Sequence, residues 1–261
     1  MATKILIRYI GGSSGRFLGL LIKSFTVPVK LINPYFAHRN SEIFRHSTMT
    51  KINDSDDLYK YSGYHLTKVS SEDAVKWWKE NLKFDESSDI IVADSHIPDP
   101  KYLLKAHPDV KLINVVFNES DIDQICYNFV TKLKTDELFD FTKMTKLFCK
   151  LLNVDWQVDI NDIKLISWMF KYSNEKFDIP KMFMDVAQSC TTEHINVEFS
   201  DIASKRIIDK LDFIANFVGV TLTDERRKNA IELVEIYANA QITVHWPLLP
   251  DDYNLKRKSL S

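Results

Sequence analysis

Between an apolar run and a helical one, the chain reads Ile10-Gly11-Gly12-Ser13-Ser14-Gly15-Arg16-Phe17. Small residues at that junction are suited to holding an anion. Backbone N–H groups at a helix start have no intrahelical acceptor, and the helix dipole adds partial positive charge there. Glycines let a phosphate or sulfate approach closely. An ordinary strand-to-helix connection has the same composition, so the motif is a hypothesis about binding. It is not the Walker A loop G-x-x-x-x-G-K-[ST]. With Gly15 as the second glycine, Ile10 stands where the first belongs, Arg16 replaces the lysine, and Phe17 replaces the hydroxyl that holds Mg²⁺. The pattern disfavours ordinary ATP or GTP hydrolysis and leaves metal-free phosphate or sulfate chemistry open.

A second chemical group is His96, in Asp94-Ser95-His96-Ile97-Pro98 after the apolar run 89–93. Open α/β sheets place ligands at the carboxyl ends of their strands. An imidazole near its ordinary pKa can take a proton at neutral pH, although a surface or capping histidine has the same sequence context. Arg16 could offer positive charge to a transferring group, or could be a solvated helix residue. His38, His46, His65, His107, His194 and His245 lack the spacing of metal ligands, and Cys126, Cys149 and Cys190 are scattered, so no metal site is expected.

The elements that must position these groups follow from periodicity. Lys4–Ile10 reads as a buried strand and Phe17–Ile22 as a core-facing helix. Val27–Ile32 reads as a second strand, followed by a polar and aromatic excursion over 33–66 that includes Tyr35, Phe36, Tyr59, Tyr61 and Tyr64. Packing explains those rings less easily than Trp77, Trp78, Trp168 and Phe170, whose helical spacing reads as core. Ser70–Asp73 signals a helix start. Strands are expected at 89–93, 111–117 and 193–199, a brief helix at 100–107, and helices at 121–132, 204–218 and 223–240. Residues 134–188 read as helical throughout and 241–261 as a polar tail. Strands alternating with helices imply an α/β fold with a central parallel sheet flanked by helices, here a single domain over 1–261 with a helical insertion at 134–188.

The chain has 261 residues, 45% hydrophobic and 27% charged, which is long enough for a sizeable core. Lys and Arg number 34 against 36 Asp and Glu, a net charge of -2, so no basic excess points to nucleic acid or an anionic membrane. No apolar run reaches the ~18 residues needed to span a bilayer. No signal-peptide pattern is visible, and the scattered cysteines suit a reducing compartment, so a cytoplasmic location is expected.

Three segments in order carry a family resemblance. They are the Gly11–Arg16 loop, Asp94-Ser-His96-Ile-Pro98, and Lys111-Leu-Ile-Asn-Val-Val-Phe-Asn-Glu-Ser-Asp121 running on to Tyr127-Asn-Phe129. Ile195-Asn-Val-Glu-Phe199-Ser-Asp201-Ile and the helix ending Phe217-Val-Gly219 follow. Together they resemble the sulfotransferases that use 3′-phosphoadenylyl sulfate (PAPS), with their Lys-Ser-Gly-Thr-Thr loop, Lys-Thr-His-Leu-Pro segment and Arg-Asn-Pro-x-Asp strand end. The resemblance covers most of residues 4–240 and implies a P-loop-like α/β architecture.

It also implies roles. PAPS would be co-substrate and PAP the product, with no metal, and the acceptor would be a small molecule or carbohydrate. His96 would be general base, with Arg16 beside the transferring group. Gly11, Gly12, Ser13, Ser14, Gly15, Arg16 and Phe17 would lie on the nucleotide's 5′ side. Phe199 would keep a ring near the adenine, and Arg257 in Lys256-Arg257-Lys258 would stand in for a C-terminal cation. The departures are equally specific. The loop lysine falls on Ser13, the two threonines on Arg16 and Phe17, and the lysine before the histidine on Asp94. The arginine and serine that bind the 3′-phosphate fall on Phe117 and Ile125. Losing a bidentate guanidinium is not neutral for a dianion. The alternative is therefore a catalytically inactive nucleotide- or anion-binding module on the same fold.

Overall fold

Three largely apolar strands and one alternating strand make the sheet, in a computed structural model that describes residues 2–31, 61, 69–84, 89–97, 99–135, 140–153, 159–176 and 178–241. Strands β1 (Thr3–Arg8), β2 (Ile90–Ser95), β3 (Val110–Val116) and β4 (His194–Glu198) are all parallel, in the order β2-β1-β3-β4. β1 is central, with Ile7 opposite both Asp94 and Ile113. Its near-continuous Ile-Leu-Ile run is what a strand covered on both faces requires. The expected strands at 4–10, 89–93, 111–117 and 193–199 are thus found, each with ends shifted by a residue or two.

The helices are α1 (Gly15–Lys23), α2 (Ser71–Asn81), α3 (Lys101–Ala106), α4 (Ile122–Thr135), α5 (Phe141–Leu152), α6 (Ile163–Lys176), α7 (Ile179–Ser189), α8 (Phe199–Ala203), α9 (Leu211–Val218) and α10 (Asp224–Asn239). Two compact units are distinguished. One holds the sheet with α1–α3, α7 from Met182 onward, and α8–α10; the other holds Gly11–Ser13 and α4–α6.

In the first unit, Leu6, Ala93 and Leu112 from three adjacent strands pack with Trp78 and Leu82 around α2 and with Leu103 of α3. α2 begins where Ser70 accepts a hydrogen bond from the Asp73 amide, with Glu72 and Asp73 in its first turn. α1 is buried at every residue except Arg16. Phe17 stacks on Tyr237 of α10 with ring centroids 3.8 Å apart, a burial worth about 1.5–3 kcal/mol. One buried residue of α1 is charged: the Lys23 ammonium donates to the Ile90 carbonyl, and burial pushes its pKa down to about 8.

In the second unit, α4, α5 and α6 share a core of Val130, Phe148, Ile166 and Met169. Phe129 stacks on Phe170 at 4.3 Å, and Lys171 pairs with Asp123 at 2.8 Å.

The second strand expected at Val27–Ile32 is not there: residues 28–31 have no strand assignment. The Val29 backbone instead makes both its hydrogen bonds with one side-chain amide, receiving Asn229 Nδ2 at 3.1 Å and donating to Asn229 Oδ1 at 3.3 Å. A side chain on α10 takes the place of a neighbouring strand. The expected excursion at 33–66 and the tail at 241–261 lie almost wholly outside the described residues. No described helix is long and apolar enough to cross a membrane.

Candidate functional site

The ends of β1 and β2 put two rings side by side. The register pairs Arg8 with Ser95, and the Tyr9 amide extends the ladder by donating to the Ser95 carbonyl at 3.0 Å. The next residues out are Tyr9 and His96. The His96 Nδ1 lies 3.1 Å from the Tyr9 carbonyl oxygen, and the imidazole meets the Tyr9 ring at 64° with centroids 4.4 Å apart. A carbonyl oxygen only accepts, so Nδ1 must carry the hydrogen and the neutral ring keeps its lone pair on Nε2. Burial, reinforced by the positive charge of Arg16, pulls the His96 pKa below 6.5; Asp94 and the Tyr9 carbonyl oppose that only in part. His96 is therefore neutral at pH 7, in the tautomer that can receive a proton at Nε2.

Around this pair sits a charged cluster. The buried Asp94 accepts at Oδ2 from the Tyr9 hydroxyl at 2.6 Å and from Arg16 Nε at 3.0 Å. Burial and the adjacent carboxylate drive the Tyr9 pKa well up, so the phenol stays a donor. Burial opposes the Arg16 charge, but the neighbouring Asp94 carboxylate favours it and the guanidinium stays protonated. Arg16 keeps 30% of its side chain exposed, so it is paired on one edge and open to solvent on another.

Gly15 makes the cluster possible. A Cβ there would fall 2.1 Å from Tyr9 Cγ, so only glycine lets α1 begin against that ring. The preceding Ser14 sits at φ 69° and occupies the N-cap position without capping. Its hydroxyl instead accepts from Tyr237 at 2.7 Å. The first bond of α1 runs from the Leu18 amide to the Ser14 carbonyl at 3.0 Å, so the amides of Gly15, Arg16 and Phe17 come before any intrahelical acceptor.

Arg8 stabilises the turn that carries His96. It is 1% exposed, donates from Nε to the Ile97 carbonyl at 3.1 Å, and reaches Asn114 Oδ1 at 2.8 Å and the Phe183 carbonyl at 2.6 Å. Burial lowers its pKa to about 10, so it remains charged at neutral pH.

Within the second unit, Gly11 and Gly12 are constrained by packing. A Cβ on Gly12, at φ 92°, would lie 2.1 Å from the Ile125 carbonyl oxygen, and one on Gly11 would lie 2.8 Å from the Phe129 ring. Their glycine identity follows from the close approach of α4. Ser13 is buried.

Two of the residues expected to meet a ligand have deeply buried side chains. Phe17 is 1% exposed and stacked on Tyr237, so it offers a backbone amide and no side chain. Phe199 opens α8 at 2% exposed, so its ring has no open face for a base. Both are apolar residues at element junctions, where core packing claims the ring. Arg257, with Lys256 and Lys258, lies outside the described residues, as do Tyr35, Phe36, Tyr59 and Tyr64. Tyr9 and Arg8 were not legible as site residues, because a strand ending in Arg-Tyr carries no motif. Among the described residues, no group of three or more His, Cys, Asp or Glu is placed to hold a metal ion.

No protein-family model matches this sequence, and no curated protein does. Among solved structures, the chain is similar to a sulfotransferase from Alicyclobacillus acidocaldarius, with a TM-score of 0.39, 11% identity and 92% of each chain covered.

Proposed function

We propose that this chain is a cytoplasmic sulfotransferase with PAPS as co-substrate, acting on a hydroxyl or amine of a small-molecule or carbohydrate acceptor. One observation carries the reading. His96 is held by the Tyr9 carbonyl in the tautomer that leaves Nε2 basic, at the end of a strand and beside the arginine that starts α1. A general base needs both an orienting partner on its far nitrogen and a pKa that leaves it neutral at the working pH.

The residues fit an oxyanionic donor in part. Ser14 is engaged by Tyr237 and leaves the first amides of α1 uncapped, and Arg16 adds a fixed positive charge beside them. Bound there, the donor would supply an electrophilic sulfuryl group and a phosphate leaving group. The chain's own work would be to neutralise that charge with the Gly15, Arg16 and Phe17 amides and the Arg16 guanidinium. His96 Nε2 would take the acceptor proton, while the Tyr9 carbonyl holds the Nδ1 hydrogen of the resulting imidazolium. The resemblance puts Phe117 and Ile125 where a 3′-phosphate would be bound, and both are buried apolar side chains.

The second reading, a nucleotide- or anion-binding module without transfer, is favoured by those same two residues. The deciding experiment measures transfer of labelled sulfate from PAPS to a panel of phenols, amines and sugars, alongside thermal-shift titrations with PAPS, PAP, 5′-AMP and inorganic sulfate. Transfer that falls on changing His96 to Ala supports the enzyme. Nucleotide binding without transfer to any acceptor class supports the module.

A further inference from the structure

Three contacts of Tyr9 meet a fourth, between its neighbours. Its carbonyl accepts from His96 Nδ1 at 3.1 Å, its ring receives the imidazole at 4.4 Å, its hydroxyl donates to Asp94 Oδ2 at 2.6 Å, and the same carboxylate oxygen accepts Arg16 Nε at 3.0 Å. Tyr9 is 4% exposed and wedged against the Cα of Gly15, so its ring cannot turn without unseating α1. The residue that orients the imidazole is thus also the one that holds the acid–base pair beside it.

We propose that Tyr9 is a positioning residue that couples the Arg16–Asp94 ion pair to the base strength of His96. The inference rests on the reading of His96 as a base and adds what sets its strength. The charged and titratable groups acting on the imidazole are Arg16 from α1, Asp94 from β2 and the neutral phenol of Tyr9 itself. Arg16 disfavours a proton on His96 and Asp94 favours it. Held as a pair, they oppose one another at fixed geometry, and the phenol supplies that geometry by occupying the carboxylate oxygen that Arg16 shares. A tyrosine that merely fills space would have no effect on this balance.

The test is an NMR titration of the His96 imidazole in the ligand-free full chain, with the resonance assigned by a His96→Gln variant. Nitrogen shifts of the wild type should show hydrogen on Nδ1. Arg16→Met should raise the His96 midpoint by roughly half a pH unit or more, and Asp94→Asn should lower it by a similar amount. Arg16→Lys keeps the charge and should leave the midpoint near the wild-type value, which also guards against a fold defect in the methionine variant. In a Tyr9→Phe background the Nδ1 tautomer should persist, because the backbone carbonyl remains, while both shifts shrink by half or more. Unchanged midpoints in Arg16→Met and Asp94→Asn, hydrogen on Nε2 in the wild type, or full-sized shifts in the Tyr9→Phe background would each overturn the proposal. No nucleotide is present, so failure here is distinct from failure to bind PAPS or transfer sulfate.

Discussion

Arg16 Nε stands 3.0 Å from Asp94 Oδ2, joining the first turn of α1 to the carboxyl end of β2. A cation at 16 thus meets an anion at 94. Removing either partner alone should be costly, and not equally so. Arg16→Met leaves the buried Asp94 carboxylate with a lost partner, whereas Asp94→Asn leaves a guanidinium that already has 30% of its side chain in water. The expected losses of stability in urea unfolding are about 3 kcal/mol for Arg16→Met and about 1–2 kcal/mol for Asp94→Asn. Equal losses, or the reverse order, would contradict the burial asymmetry.

Replacing Gly15 tests the contact with Tyr9. The added methyl would meet the ring at 2.1 Å. Gly15→Ala should cost about 1–3 kcal/mol by overpacking, read as a lowered melting temperature. Gly219→Ala serves as a contrast: its Cβ would have room, 3.8 Å from the Thr3 hydroxyl, but its φ of +81° is unfavourable for alanine. That variant should cost about 1–2 kcal/mol through backbone strain alone.

Lys23 should make stability depend on alkaline pH. Its pKa falls from an ordinary 10.5 to about 8 in the folded chain because burial opposes the charge. Between those values the unfolded chain binds more protons at this residue than the folded one, so this group's contribution to stability rises with pH. Below about pH 8 its full cost is present, and above 10.5 it is relieved. Lys23→Met should therefore stabilise the protein at pH 7, with the gain shrinking to nothing by about pH 11. Chemical denaturation at both pH values checks the sign.

If transfer occurs, its rate should report the lowered pKa of His96. The base works when neutral, so turnover should rise with pH along a limb whose midpoint lies below the ordinary histidine value of 6.5, then stay level through pH 7. His96→Ala should reduce turnover by roughly two to four orders of magnitude. A limb centred above 7 would assign the base to another group.

Should Arg16 take up an oxyanion, part of its charge is cancelled and its depressing effect on His96 weakens. Sodium sulfate should then raise the His96 NMR midpoint relative to sodium chloride at equal ionic strength, by a few tenths of a pH unit. The rise should vanish in Arg16→Met.

The sheet was legible in the sequence because three of its strands are largely buried and leave apolar runs, unbroken in Ile90-Ile-Val-Ala93 and interrupted only by Asn114 in Leu112-Ile-Asn-Val-Val116. His96 and the start of α1 could be placed because each follows such a run directly. Val27–Ile32 is also rich in β-branched and aliphatic residues, apart from Pro28 and Lys30, and there the reading failed, since the Asn229 amide that takes the backbone bonds of Val29 lies 200 residues away. Tyr9 was hidden for a related reason. Its role comes from a carbonyl, a ring edge and a hydroxyl used together, and only the three-dimensional arrangement brings those to His96 and Asp94. The burial of Phe199 was not legible, because an aromatic residue after a strand reads alike whether it faces a ligand or the core.

The hydrogen bond from Tyr237 to Ser14 joins residues 223 positions apart. Translation proceeds at about 5–20 residues per second, so roughly 10–45 seconds pass between synthesis of the loop serine and of the tyrosine that fixes it. For that interval the entrance to α1 is exposed on the ribosome without its last support. Folding of this junction therefore waits on α10.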